Sequence, residues 1–158
     1  MSIRNPIAFI GEYVLGATAG APLSVNSTGG LQSGLPIYST GEITASATTT
    51  SSTPALLTST TITPPAGTYW VWFDGTVQTT TGGNSITVYI YIGTSATGSQ
   101  RTIQFPTATL IDSGYPFFIG VQGFNITVNG SQAINIYWGT SGGTATMLHR
   151  TVTAIRTS

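Results

Sequence analysis

Ser141, His149 and the acids Glu12, Glu42, Asp74 and Asp112 are the residues of this chain whose types could do chemistry. Ser141 lies in Gly139-Thr-Ser-Gly-Gly143, which has the G-x-S-x-G spacing of a nucleophile elbow. That motif works on a sharp strand-to-helix turn that lifts the hydroxyl clear of the sheet. Here the flanking segments, 133–138 and 144–157, both read as strands, so a Gly/Ser turn is the simpler reading. A triad would need Ser141, the sole His149 and one acid to converge, and nothing local brings them together. Glycosidase chemistry needs two facing carboxylates, and Asp74 with Asp112 is the one pairing to propose in the β region. Each precedes a glycine within two residues, as turn aspartates do. No two candidate metal ligands alternate along one strand. The expectation is a protein that is not an enzyme and takes no cofactor or metal.

The residues that do stand out are aromatic. In Pro64-Pro-Ala-Gly-Thr-Tyr-Trp-Val-Trp-Phe-Asp-Gly the double proline cannot donate to a ladder, and Gly67 permits the bend that starts a strand. Along that strand Tyr69, Val71 and Phe73 share one side, and Trp70, Trp72 and Asp74 share the other. A strand apolar on both faces needs cover from two directions, one supplied by a second sheet and the other from outside. The next run, Ile86-Thr-Val-Tyr-Ile-Tyr-Ile92, points Ile86, Val88, Ile90 and Ile92 inward and Thr87, Tyr89 and Tyr91 outward. If the two strands pair across Gly82-Gly-Asn84, Tyr89 and Tyr91 lie beside Trp70 and Trp72. Trp70, Trp72, Tyr89, Tyr91 and Tyr137 therefore admit three readings: a surface that stacks on sugars, a subunit interface, or core covered by the chain itself. The subunit interface is the leading expectation.

Charged residues make up 5% of the 158 residues, with four Arg, four acids, no Lys and zero net charge. An ordinary soluble domain has about 25%. With a mean hydropathy of +0.23, such a chain folds rather than staying disordered, and its surface has little charge to keep copies apart. Arg4, Arg101, Arg150 and Arg156 are scattered, which excludes the basic cluster that phosphate binding needs. The absence of Cys removes disulfides and thiolate metal sites. The start, Met-Ser-Ile-Arg-Asn-Pro, lacks the layout of a signal peptide, and no apolar run approaches the ~20 residues of a membrane helix. Synthesis in a cytoplasm is expected, and the sequons at Asn26, Asn125 and Asn129 read as chance in a chain rich in Ser and Thr.

Domain organisation is expected to be an extended N-terminal arm over 1–35 and a β domain over 36–158, with its core in 56–157. In the arm, Phe9, Ile10, Tyr13, Val14 and Leu15 are apolar anchors interrupted by glycines that forbid a separate core. Such a segment must lie on something else, which makes these five the expected docking residues. Residues 35–43 read as a first strand, 44–53 as a Ser/Thr linker or loop, and 56–62 as a strand leading into the prolines. Residues 93–99 read as a loop, 101–105 as a short strand, and 115–121 and 124–128 as two more. Asn129-Gly130 is the strongest hairpin signal, a type I′ turn returning into 133–138, and 144–157 is the last strand. About eight strands from Leu56 onward, with no helix-period segment, give an all-β, antiparallel jelly-roll sandwich.

The order Pro-Ala-Gly-Thr-Tyr-Trp-Val-Trp-Phe73, an alternating Ile/Val/Tyr strand, Val128-Asn-Gly-Ser-Gln-Ala-Ile-Asn-Ile136 and a final Arg150-Thr-Val-Thr-Ala-Ile155 resembles the jelly roll of the tumour-necrosis-factor and complement-globular-head type, over residues 56–157. The resemblance implies a homotrimer about a three-fold axis with inner-sheet aromatics at the contact. Without Lys, Cys, a signal peptide or a collagen-like stalk, the chain looks more like the phage virion form, so receptor signalling and calcium binding do not carry over. Two functions then stand. One is a trimeric capsid decoration or cement protein, resident in the virion, whose arm holds the major capsid protein or another virion protein. The alternative is the receptor-binding tip of a phage fibre whose aromatics hold a host glycan. Nucleic acid and membrane are not expected partners in either.

Overall fold

The structure, a computed structural model, describes residues 36–105 and 115–157 in full, together with the backbone of two short strands before them. The chain divides into units Met1–Pro36 and Ile37–Ser158. In the first, β1 (Leu23–Val25) and β2 (Leu31–Ser33) pair antiparallel, with Leu23 opposite Ser33. Phe9, Ile10, Tyr13, Val14 and Leu15 lie outside the described residues, as does Asp112.

The second unit is all β. Its strands are β3 (Ile37–Ser39), β4 (Ala47–Thr49), β5 (Ala55–Leu56), β6 (Gly67–Thr79), β7 (Ser85–Ile92), β8 (Ser95–Gln104), β9 (Phe117–Val128), β10 (Ile134–Thr140) and β11 (Ala145–Arg156). One sheet has the order β3-β11-β6-β9, with β4 also on β11; the other has the order β5-β10-β7-β8. Between β4 and β11 every connection except the β7–β8 hairpin crosses from one sheet to the other, which is the jelly-roll arrangement.

Alternation drives the packing. On β6 the odd positions from Tyr69 to Thr79 are buried and the even ones half-exposed, so the strand supplies Tyr69, Val71, Phe73 and Val77 to the core. They meet Ile86, Val88 and Ile90 of β7 and Ile134, Ile136 and Trp138 of β10 from the facing sheet. Each such side chain contributes about 1.5–3 kcal/mol on burial. One charge enters this interior. Arg150, 2% exposed, donates through Nε and Nη2 to the Thr58 carbonyl and through Nη1 to that of Ala45, tying two loops to β11. Burial lowers the affinity of its guanidinium for the proton.

Several sequence expectations are corrected by this topology. Residues 80–84 do not close a hairpin between paired strands, because β6 and β7 lie in different sheets. Stacked sheets stand ~10 Å apart, a gap that a five-residue connection spans easily. Likewise Asn129-Gly130 links β9 to β10 across the sandwich. Gly130 has φ 88° but Asn129 does not take positive φ; its Oδ1 instead accepts from the Ser131 and Gln132 amides at 3.0 and 3.1 Å. Residues 44–53 are more than a linker, since β4 pairs with β11 and the Ser51 carbonyl accepts from the Thr140 amide. Within 56–62 only Leu56 belongs to a strand, with an isolated bridge from Ile62 to Ile134. The segments 115–121 and 124–128 are one strand, β9, continuous through a bulge, and 95–105 is nearly all one strand, β8.

Candidate functional site

The crossover between β6 and β7 separates the five aromatics singled out from sequence. Trp70 and Trp72 lie on the outer face of the β3-β11-β6-β9 sheet, whereas Tyr89, Tyr91 and Tyr137 lie on the outer face of the β5-β10-β7-β8 sheet. The rings of Tyr91 and Tyr137 stack at 4.1 Å, and Tyr89 meets Tyr91 edge-on at 6.2 Å. Leu56, 47% exposed, pairs with Tyr137 at the margin of this group. Thr87 and Thr102 share a hydroxyl bond of 2.8 Å on the same face. Among the described residues, no outward position of this sheet carries a charge.

The other face is built in rows set by register. Ile37, Ile155 and Trp70 form one row, Ser39, Thr153, Trp72 and Gln122 the next, then Thr151, Asp74 and Gly120, then His149, Thr76 and Phe118. Opposite Trp70, β9 carries an extra residue: Tyr69 pairs with Ile126 and Val71 with Gly123. Asn125 absorbs it with φ 56°, as one residue of a bulge commonly does. The bulge presents Phe124 to Trp70, ring on ring at 5.5 Å and 14°, and Trp72 sits 5.2 Å from Trp70 on its other flank. Trp70 Nε1 is buried with no hydrogen-bond partner, so this indole is held for its ring and not for its N–H.

A groove of about 790 Å³ runs over this face, lined by Trp72, Asp74, Arg101, Phe118, Gln122 and Phe124, with Gly120 between the rings. Its far wall is β8. Tyr89 pairs with Gln100 and Ile90 with Thr97, so Gly98 and Ser99 bulge out of the ladder beside the groove, and Arg101, opposite the inward-facing Val88, lines it from the sheet edge. Gly98, at φ +68°, lies so close to β9 that a Cβ there would stand 3.1 Å from Ile126 Cδ1 and 3.3 Å from Gly123 Cα. A side chain at this position would push the two sheet edges apart, and with them the wall.

Asp74 also lines an adjoining hollow of about 180 Å³ with Glu42, Thr76, Phe118, His149 and Thr151. Burial raises its carboxyl above the usual range. The side chains of Asp74, Arg101, Gln100 and Gln122 make no hydrogen bond or ion pair with any described residue. His149 Nδ1 and Glu42 Oε1 are 3.2 Å apart, with 55% and 69% of their side chains exposed. A contact so open to water contributes little stability. Ser141 is not brought to His149. Its Oγ accepts from the Ser85 amide at 2.8 Å, so the G-x-S-x-G spacing is a turn that closes one end of the sandwich. Among the described residues no three His, Asp or Glu cluster as a metal site.

Phe118, Phe124, Arg101 and Gln122 were not legible as a site from sequence. Phe117-Phe118 was the available signal: adjacent aromatics on a strand must face opposite ways, and here Phe117 packs inward while Phe118 is 70% exposed.

No protein-family model matches the chain, and no curated protein sequence matches it. Among solved structures it is similar to the VP2 protein of infectious bursal disease virus. Against VP2 in derived T=1 particles the TM-score is 0.50 at 12% identity, covering 85% of this chain and 36% of that one. Against a point mutant of VP2 in such particles the TM-score is 0.50 at 11% identity, with the same 85% and 36% coverage. A carbohydrate-binding module from Cellvibrio mixtus lichenase 5A, solved with cellotriose, aligns over 90% of this chain and 92% of its own at 15% identity, but its TM-score of 0.32 supports no argument. The chain spans just over a third of the VP2 chains it matches, and at this identity the likeness is one of fold.

Proposed function

We propose that this chain is a structural virion protein, a homotrimeric decoration or cement protein of a phage capsid. The observation that carries this reading is the outer face of the β5-β10-β7-β8 sheet: Tyr89, Tyr91, Tyr137 and Leu56 with no charged residue among its described outward positions. A face meant to be covered by another copy avoids charge, because an ion taken out of water without a partner costs several kcal/mol, and tyrosines are among the strongest contributors once covered. Opposite faces of one sandwich point in opposite directions, and one face joined to the other builds a stack instead of a closed ring. The subunit contact is therefore assigned to the tyrosine face, with Trp70 and Trp72 left to the other. The fold likeness to a viral particle protein is in keeping with a role in a virion.

In this reading residues 1–35 hold the major capsid protein through Phe9, Ile10, Tyr13, Val14 and Leu15. The test is deletion of residues 1–35. The truncated protein should keep its oligomeric mass by light scattering and lose binding to undecorated heads. A truncated protein that binds heads at full affinity sinks the arm's role, and one that becomes monomeric moves the arm into the subunit contact. The second reading, a fibre tip that holds a host glycan, is favoured by one observation, the groove walled by β8.

A further inference from the structure

We propose that the groove between the β3-β11-β6-β9 face and β8 binds a neutral oligosaccharide. The inference goes beyond assembly and holds whether the protein sits on a head or on a fibre. Three observations converge on it. First, apolar rings stand exposed toward its two ends: Phe118 is 70% and Phe124 64% exposed, their backbones six residues and therefore about 20 Å apart along β9, with the Phe118 ring leaning inward over Gly120. Rings so placed offer flat apolar surface to the C–H faces of pyranose rings, and the distance suits a chain of several sugars better than a single one. Phe124 is steadied for this by Trp70 behind it, which holds its plane fixed.

Second, the hydrogen-bonding side chains between those rings are unspent. Asp74 offers acceptors, Arg101 offers donors and Gln122 offers both, and none of the three has a side-chain partner among the described residues. Vicinal hydroxyls both donate and accept, so a sugar can meet this mixed set, and a concave site with a few convergent polar groups is the usual form of a ligand pocket.

Third, the charge balance selects a neutral ligand. The groove holds one acid and one base, Asp74 and Arg101, and the adjoining hollow holds Glu42 beside His149. A sulfated or sialylated chain would meet carboxylates at Asp74 and Glu42 with one accessible guanidinium to offset them, since Arg150 is buried on carbonyls. Gly120, opposite Asp74, has no side chain of its own, and the Phe118 ring leans over it, 3.3 Å from where a Cβ would stand, so that the ring forms part of the groove floor.

The test uses the full chain and a panel of neutral hexasaccharides (gluco-, manno-, galacto- and xylo-configured), with a sulfated and a sialylated oligosaccharide alongside. Binding is read by calorimetry and by tryptophan fluorescence, because Trp72 lines the groove. One neutral class should bind. Phe118→Ala and Gln122→Ala, at an exposed ring and an exposed amide, should each weaken it about tenfold or more while the oligomeric mass and Tm stay unchanged. Tyr91→Ala should leave the affinity of each folded chain unaltered. No binding by any neutral member at ~10 mM overturns the proposal, as does preference for the charged sugars. Loss of the oligomer in Phe118→Ala or Gln122→Ala overturns it too, by making the groove a contact between copies. Sugar binding that survives both variants places the site elsewhere and overturns it equally.

Discussion

The two outer faces of this sandwich arise from the same period-2 alternation and end with opposite character. On the tyrosine face, β5, β10 and β7 form a smooth ladder, β8 joining β7 through one bulge, and the outward residues are Tyr, Thr, Ser, Asn, Gln, Leu, Ala and Gly, all neutral. The tryptophan side is shaped by two bulges at neighbouring sheet edges, at Phe124–Asn125 in β9 of its own sheet and at Gly98–Ser99 in β8, the edge strand of the tyrosine sheet. The bulges raise one wall and tip out one ring, and within the hollow they create stand Asp74 and Arg101. A smooth neutral face suits a large partner that excludes water over the whole area. A walled face with unspent polar groups suits a small polar ligand that replaces water group by group. What separates the two is a pair of irregularities in backbone register, since aromatic content is similar on both.

The largest expected effect breaks the comparison at its assembly side. Tyr91→Asp with Tyr137→Asp places two carboxylates where cover is expected, and should weaken association more than 100-fold, roughly 3 kcal/mol. Light scattering would fall from three times 16.3 kDa to the monomer. Raising salt should do little to the unmodified protein, because screening acts on charges this face lacks. If Trp72→Asp dissociates the protein and the tyrosine pair does not, the two faces have been assigned the wrong way round.

A middle-sized effect is expected from the irregularities themselves. Gly98→Ala puts a Cβ into a left-handed position with 3.1 Å to Ile126 Cδ1, and should cost about 1–2 kcal/mol in chemical denaturation. The same change should open the β8 wall and lower sugar affinity, while association through the tyrosine face persists. A Gly98→Ala protein with full stability would show that the close approach of β8 to β9 is not what shapes the groove.

The smallest effect concerns Asp74. Burial raises its carboxyl above the usual value, so between the unfolded and folded pKa the native state keeps a proton that the unfolded chain has released. The corresponding stability is fully present below the unfolded carboxylate value of about 4 and is lost as pH rises through the folded value. Asp74→Asn should remove that slope and gain stability relative to the parent as pH rises from about 4, an effect kept small by the partial exposure of the carboxyl to water. Parallel pH–stability curves for the two proteins would show that Asp74 is not desolvated in the groove.

The sequence by itself determined the all-β class, the position of β6, β7, β10 and β11, and which residues of each face inward. These follow from local rules: Ile86, Val88 and Ile90 must share a side because strand geometry has a period of two. It also determined that little charge would be available on the surface, which follows from composition alone. Topology was decided elsewhere. A turn such as Thr80–Asn84 reads alike whether it joins neighbours in one sheet or crosses to the other, because both need only a short flexible connection. The sandwich chooses the crossing so that the apolar sides of β6 and β7 can face each other in one core. That choice placed the tryptophans and tyrosines on opposite faces. Register decided the rest. The groove depends on Gly98 meeting Gly123 and on Phe124 lying over Trp70, contacts between residues 25 and 54 positions apart by number, which no local pattern encodes and only the closed sheets bring together.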